Sequence, residues 1–206
     1  VAAAKLRRAQ TRLINARPYA TKTEELLSQM VRLMEGTSHP IFEPREPVKV
    51  SEFLILTSDR GLCGGFNGNL LRRIEEFLKE KGGSPLEVRL SVIGRKGRDF
   101  FLSRRREPEK VLTGISEQFP FEQALKMAED FLASYGEGKI DELYLAYNYF
   151  RSAISQEIRI ERLLPLTFEK ADNSDWMPEY LYEPSRKILL EKIIPRAVAT
   201  IIRRAF

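Results

Sequence analysis

The sequence holds one cysteine, Cys63, and one histidine, His39, in 206 residues. A single thiol rules out an internal disulfide and a cysteine-rich zinc cluster, and a single imidazole argues against a histidine-based metal site. No apolar run approaches the ~18 residues of a membrane-spanning helix; Phe53–Leu56 is of core size. The first residue is Val, so the lack of a secretory pattern carries no weight.

Charge is unevenly spread. Val1–Arg17 carries Lys5, Arg7, Arg8, Arg12 and Arg17 with no acid. Arg186–Phe206 carries six cations against Glu191, and the body between the two ends is net acidic. Basic ends on an acidic body point to an anionic partner or to solvated helix faces.

The ends also share a pattern. Leu6, Leu13, Ala20, Leu27 and Met34 recur every seven residues, with Ala9, Ala16, Thr23 and Met30 between them. This predicts a long helix winding about a partner, its Ala-rich seam allowing close approach, with a kink near Pro18. Gly36 closes the segment, and the proline-rich "GTSHPIFEPREP" follows as a loop. Leu190, Ile194, Ala197 and Ile201 repeat the spacing near the other end, behind Ser185 as an N-cap. The two helices are expected to pair antiparallel, and both read as truncated.

Between them the period changes. Phe53–Leu56 reads as a strand buried on both faces, and Leu70, Leu71, Ile74, Phe77 and Leu78 as a helix. Leu86–Val92 alternates as a strand, Arg95 to Arg105 reads as a short helix, and Val111 marks a weak strand. Phe121 to Tyr135 is strongly amphipathic and is expected to stop at Gly136. Leu143, Leu145 and Tyr147 form another strand, and Ile158 and Ile160 an antiparallel neighbour. Glu169–Glu183 reads as a loop. The expected fold class is α/β, a mostly parallel, Rossmann-like sheet with flanking helices, plus an antiparallel coiled coil from the two terminal helices. The expected division is 1–36, 37–183 and 184–206.

One stretch looks chemical. "LTSDRGLCGGFNGNLL" places Gly61, Gly64, Gly65 and Gly68 between a strand and a helix. A P-loop needs Lys and then Ser or Thr after its last glycine, and Asn69-Leu70 stands there instead. A dinucleotide turn needs glycines at its first, third and sixth positions, which this spacing lacks. A helix N-terminus still offers free N–H groups to an anion, so a nucleotide-binding domain stays as an alternative. The competing reading is that the glycines serve close strand–helix packing. Cys63 is expected to be a small buried thiol, because His39 is too remote to activate it. Asp59 and Arg60 are expected to form a local ion pair or a cap. Nucleic-acid binding through the basic helices is a further alternative, weakened by the lack of aromatic stacking residues among the cations.

Several stretches together resemble the gamma subunit family of the F-type rotary ATP synthase. "VAAAKLRRAQ", "ARPYA", "SDRGLCGGFNGNL", "VIGRKGRDFF", "YNYFRSAISQE", "LLPL" and "YEPSRKILLEKIIP" occur in family order across nearly the whole chain. The resemblance implies a central rotor shaft without chemistry of its own, having no catalytic, cofactor-binding or metal-binding residues. It implies a ring of alpha and beta subunits as partners, with the epsilon subunit and the c-ring below. Membrane contact would come through the c-ring alone, and nucleic acid would be no partner. It places the chain at the cytoplasmic face of a bacterial plasma membrane, an organellar origin staying open. Lys5, Arg7, Arg8 and Arg12 would meet acidic loops of the ring, and Gly61, Gly64, Gly65 and Gly68 would form a structural turn.

Overall fold

The computed structural model describes residues 40–81, 87–115, 119–152, 155–167 and 186–206, together with Thr11, Pro18 and Lys22 as isolated helical positions. The N-terminal seam, Lys5, Arg7, Arg8, Arg12, His39, the Ser185 cap and the 169–183 loop lie outside the described residues.

Five strands form one sheet. The chain passes through β1 (Val50–Leu56), α1 (Phe66–Lys81), β2 (Glu87–Ile93), α2 (Arg95–Ser103) and β3 (Lys110–Leu112). It continues through α3 (Phe121–Gly136), β4 (Glu142–Ser152), β5 (Ser155–Leu164) and α4 (Arg186–Ala205). Strand order is β3-β2-β1-β4-β5. β1 runs parallel to β2 and β4, β2 parallel to β3, and β5 antiparallel to β4, as the strand–helix alternation predicts.

The alternation of side chains along each strand makes two cores. Phe53, Ile55, Leu90, Val92, Tyr144 and Ala146 face α1 and α2, meeting Leu70, Leu71, Ile74 and Phe101. Leu54, Leu56, Ile93, Leu143, Leu145 and Tyr147 face the opposite way, onto Ala124, Ala128, Phe131 and Tyr135 of α3. That spacing keeps the four on one stripe of α3. Each fully buried Leu, Ile or Phe is worth about 1.5–3 kcal/mol relative to exposure, which holds these layers together. β1, central and covered on both faces, has every residue from Ser51 to Leu56 buried.

α3 ends at Gly136, as expected, and the left-handed residue that turns the chain is Gly138, at φ 73°. Gly138 N–H reaches the Tyr135 carbonyl at 3.1 Å and Lys139 N–H that of Ser134 at 2.9 Å, satisfying late carbonyls of the helix. Along α4, Leu190, Ile194 and Ala197 of the expected seam are buried in the core with α3, together with Val198 and Ile202, and Ile201 is partly buried against it. Pro195 sits inside α4.

At the amino edge of the sheet, polar side chains fix strand register. Asp141 Oδ2 accepts from the N–H groups of Lys49 and Val50 at 2.8 and 2.9 Å, aligning the starts of β1 and β4. The Arg45 guanidinium donates to the Tyr135 and Ile140 carbonyls and stacks on the Tyr135 ring, tying the chain before β1 to the end of α3.

Candidate functional site

The glycine turn stands at the carboxyl edge of β1, where open α/β sheets ordinarily bind ligands beside the point at which strand order reverses. Here that point lies between β1 and β4. β1 ends at Leu56, but β4 runs on beyond its last pair with β1, Ile55 with Ala146, and turns back as β5. Asn148 on this extension donates through Nδ2 to the Phe66 carbonyl at 3.1 Å, in the first turn of α1. The β4–β5 hairpin therefore lies against the helix start that a phosphate would approach. The Phe66 N–H is also directed to the Cys63 carbonyl, at 3.3 Å.

The base of the turn is tied down by two side chains. Asn67, buried in the first turn of α1, accepts the Ser58 N–H on Oδ1 at 2.9 Å. Its Nδ2 faces the Ser58 Oγ at 2.9 Å, the Cys63 Sγ at 3.1 Å and the Arg60 carbonyl at 3.4 Å. Asp59 reaches outward. Its Oδ1 accepts from the Arg95 N–H at 2.8 Å, the start of α2, and its Oδ2 from the Gly114 N–H at 2.7 Å, just past β3. One carboxylate thus joins the chain after three parallel strands. Asp59 is a cap, as its position suggested, but of a helix far away in sequence.

Beyond these anchors the turn projects. Arg60 through Gly65 are all exposed. Leu62 has a relative exposure of 108% and a left-handed φ of 60°, a combination of apolar exposure and backbone strain that few leucines show. Cys63 is exposed, which corrects the expectation of a buried thiol: the turn bulges away from the core instead of folding back on it.

The close packing expected of Gly61, Gly64, Gly65 and Gly68 also falls elsewhere. A Cβ on Gly64 or Gly68 would meet nothing within 4 Å, and one on Gly65 would meet only the Asn69 side chain. On Gly61 it would lie 3.2 Å from the flexible Lys96 side chain. Of the four, Gly64 alone has a positive φ, 58°. The tight contacts belong to Gly94, between β2 and α2, and to Gly97, in the first turn of α2; both press on Thr57. The Thr57 hydroxyl donates to the Ile93 carbonyl at 3.0 Å and accepts the Gly97 N–H at 2.9 Å, closing that joint. The sequence signal was there to be read in "VIGRKGRD", a strand followed at once by glycine and a helix.

Two buried carboxylates lie at the opposite edge. Glu142 accepts from Lys81 Nζ and from the hydroxyls of Ser51 and Tyr144 at 3.1 and 3.2 Å. Burial lowers the Lys81 pKa, but hydrogen bonds to Glu142 and Tyr144 outweigh it and hold the value above normal. Glu52 accepts from the Ser91 hydroxyl at 2.7 Å on the other face, and burial pushes its pKa up. Among the described residues no group of His, Cys, Asp and Glu is arranged to hold a metal ion, and no helix is long and apolar enough to cross a membrane.

What fold and turn define is a Rossmann-like body whose glycine turn is an exposed projection, with a hairpin beside it where such sheets take ligands. A family model described as ATP synthase matches residues 1–206. The ATP synthase gamma chain of Geobacter metallireducens is 37% identical over 205 residues, covering 100% of this chain and 71% of that one. That of an Anaeromyxobacter species is 41% identical over 208 residues, with 100% and 71% covered. The fold matches a chain in the central stalk/c-ring structure of Tetrahymena thermophila mitochondrial ATP synthase with a TM-score of 0.69. That match is at 23% identity and covers 100% of this chain and 87% of that chain. The chain belongs to the ATP synthase gamma-chain family.

Proposed function

We propose that the chain is the central-stalk rotor of an F-type ATP synthase and performs no chemistry itself. The observation that carries this reading is the family match across residues 1–206, joined by gamma chains at 37–41% identity. The placement of the β4–β5 hairpin against α1 supports the non-catalytic part, since it takes the position where this type of sheet holds a nucleotide.

In this role the chain works by linkage. An asymmetric shaft that fits each surrounding subunit differently at each angle changes the nucleotide affinity of each, so rotation and catalysis are coupled through binding free energy. Its partners are the alpha and beta subunits of the ring, the epsilon subunit and the c-ring. The complex lies at the cytoplasmic face of a bacterial plasma membrane. Residues 1–36 and 184–206 supply the coiled coil and 37–183 the body. Lys5, Arg7, Arg8 and Arg12 meet acidic loops of the ring, where opposite charge steers and orients contact.

The test is affinity purification of the tagged, native-length gene product, with partners identified by mass spectrometry and the eluate assayed for ATPase. Co-purification of alpha, beta and epsilon with activity is the expected result. A chain recovered alone overturns the reading.

A further inference from the structure

Glu52 lies on the central strand β1, two residues before Leu54 and so on the α3 face, and is 3% exposed. Among the described residues one hydrogen bond reaches its carboxyl, from the Ser91 hydroxyl to Oε1 at 2.7 Å. An ionised carboxyl buried with one neutral donor is costly unless a cation pairs with it. Two cations stand close by, and both are turned away. Arg89 is the register partner of Glu52 on β2, yet its Nε lies 2.7 Å from Glu87 and 3.3 Å from Glu109. Lys110 on β3 is the register partner of Ser91, the residue that bonds Glu52. Its ammonium lies 3.2 Å from Asp130 of α3 and 5.0 Å from the centre of the Phe131 ring.

This arrangement suits a neutral carboxyl. Burial holds the Glu52 pKa above the usual carboxylate range, against the pull of Ser91, Lys110 and Arg89 and with Glu109 adding to the rise. Those are the charged groups that bear on it from β2 and β3; β4 sets Leu143 opposite it, and α3 brings Asp130 through Lys110. When pH rises and the proton leaves to water, the new charge needs a cation already at hand. Arg89 is held by two carboxylates. Lys110 is held by one, both partners are partly exposed, and such pairs are weak. A compact ammonium on a flexible stem can change partners and stay protonated throughout.

We propose that Glu52, Lys110 and Asp130 form a proton-controlled switch, in which Lys110 ties β3 to Asp130 of α3 while Glu52 is neutral and swings inward to Glu52 when that carboxyl ionises. α3 shares its core with α4, so one buried proton sets how firmly the β3 edge holds that helix pair. The switch does not depend on the rotor reading.

The test is a carboxyl-carbon NMR titration of the native-length chain that follows Glu52 and Asp130. In wild type the Asp130 curve is expected to show a second step at the Glu52 midpoint, where its cation departs, and Glu52→Gln is expected to abolish that step. The Glu52 midpoint is expected to rise by about half a pH unit or more in Lys110→Met and to fall by a similar amount in Asp130→Asn, which frees the ammonium. Asp130→Asn also removes a negative charge, so it is repeated in the Lys110→Met background, where a fall that acts through Lys110 disappears. The switch is overturned by an unmoved midpoint in Lys110→Met, by a fall that survives in the double variant, or by a wild-type Asp130 curve without the second step. It is overturned equally if Glu52 stays neutral up to the alkaline limit of the fold. Melting temperatures confirm that the variants fold, and the wild-type Asp130 curve decides alone should one of them fail.

Discussion

A Cβ placed on Gly94 would lie 2.1 Å from the Thr57 carbonyl oxygen and 2.5 Å from its hydroxyl oxygen. The β1 and β2 ends approach that closely because the Thr57 N–H donates to the Ile93 carbonyl at 2.7 Å, and Gly94 turns away at a φ of 103°. The joint between the first two parallel strands is thus made of backbone against backbone, with no side chain able to yield.

Gly94→Ala is expected to lower stability by about 3 kcal/mol or more, combining a left-handed backbone with a clash against main-chain atoms. Gly68→Ala is the control. It lies in the first turn of α1 with nothing within 4 Å of its Cβ, and should stabilise by about 0.5 kcal/mol through reduced unfolded-state entropy. Urea unfolding of the two variants measures both, and a near-neutral Gly94→Ala would show that the joint can shift.

The Glu52 carboxyl gives a pH prediction. Burial holds its pKa above normal, against the opposing pull of Ser91, Lys110 and Arg89, with Glu109 adding to the rise. The unfolded chain therefore releases this proton first as pH rises, and ionisation costs stability above the ordinary value of 4.5 and nothing well below it. Glu52→Gln, which can still accept from Ser91, should raise the melting temperature at pH 8 by about 2–4 °C. The gain should vanish near pH 4. A gain independent of pH would place its origin in packing, not in titration.

Lys81→Met tests the Glu142 cluster. Removing the ammonium leaves a buried carboxylate with two hydroxyl donors and the more distant Arg162, whose guanidinium lies 3.8 Å away. Because Lys81 is itself partly exposed, the expected loss is about 1–3 kcal/mol, below that of a fully buried pair. Lys81→Met combined with Glu142→Gln should recover part of it in the same unfolding assay.

Calorimetric titration of the chain with ATP and ADP should give no saturable heat at millimolar nucleotide. Gly65→Ala should leave that result unchanged, because the added Cβ displaces only the exposed Asn69 side chain. Saturable binding abolished by Gly65→Ala would return the turn to the list of active sites.

The sheet and its helices are legible in the sequence because their cores are written locally. Phe53–Leu56 lacks polar residues on either face, and Ala124, Ala128, Phe131 and Tyr135 repeat at helical spacing. Asp59 is not legible in the same way. Its partners, Arg95 and Gly114, are brought to it only by the parallel crossovers, and no local pattern encodes that meeting. Cys63 was misread for a related reason. A small thiol among glycines fits a buried corner, and only the anchoring of the turn at Asn67 shows that the corner lies one turn deeper. The close approach at Gly94 and Gly97 has a local mark, glycine straight after a strand and before a helix, but its partner Thr57 is brought there only by the pairing of β1 with β2.

The β4–β5 hairpin has a mechanical corollary. Open sheets that take a ligand at their carboxyl edge need a mouth there, and a mouth implies at least two shapes, empty and filled. Here Asn148 bridges that edge to the start of α1, so opening a mouth at this place would first have to break that bond.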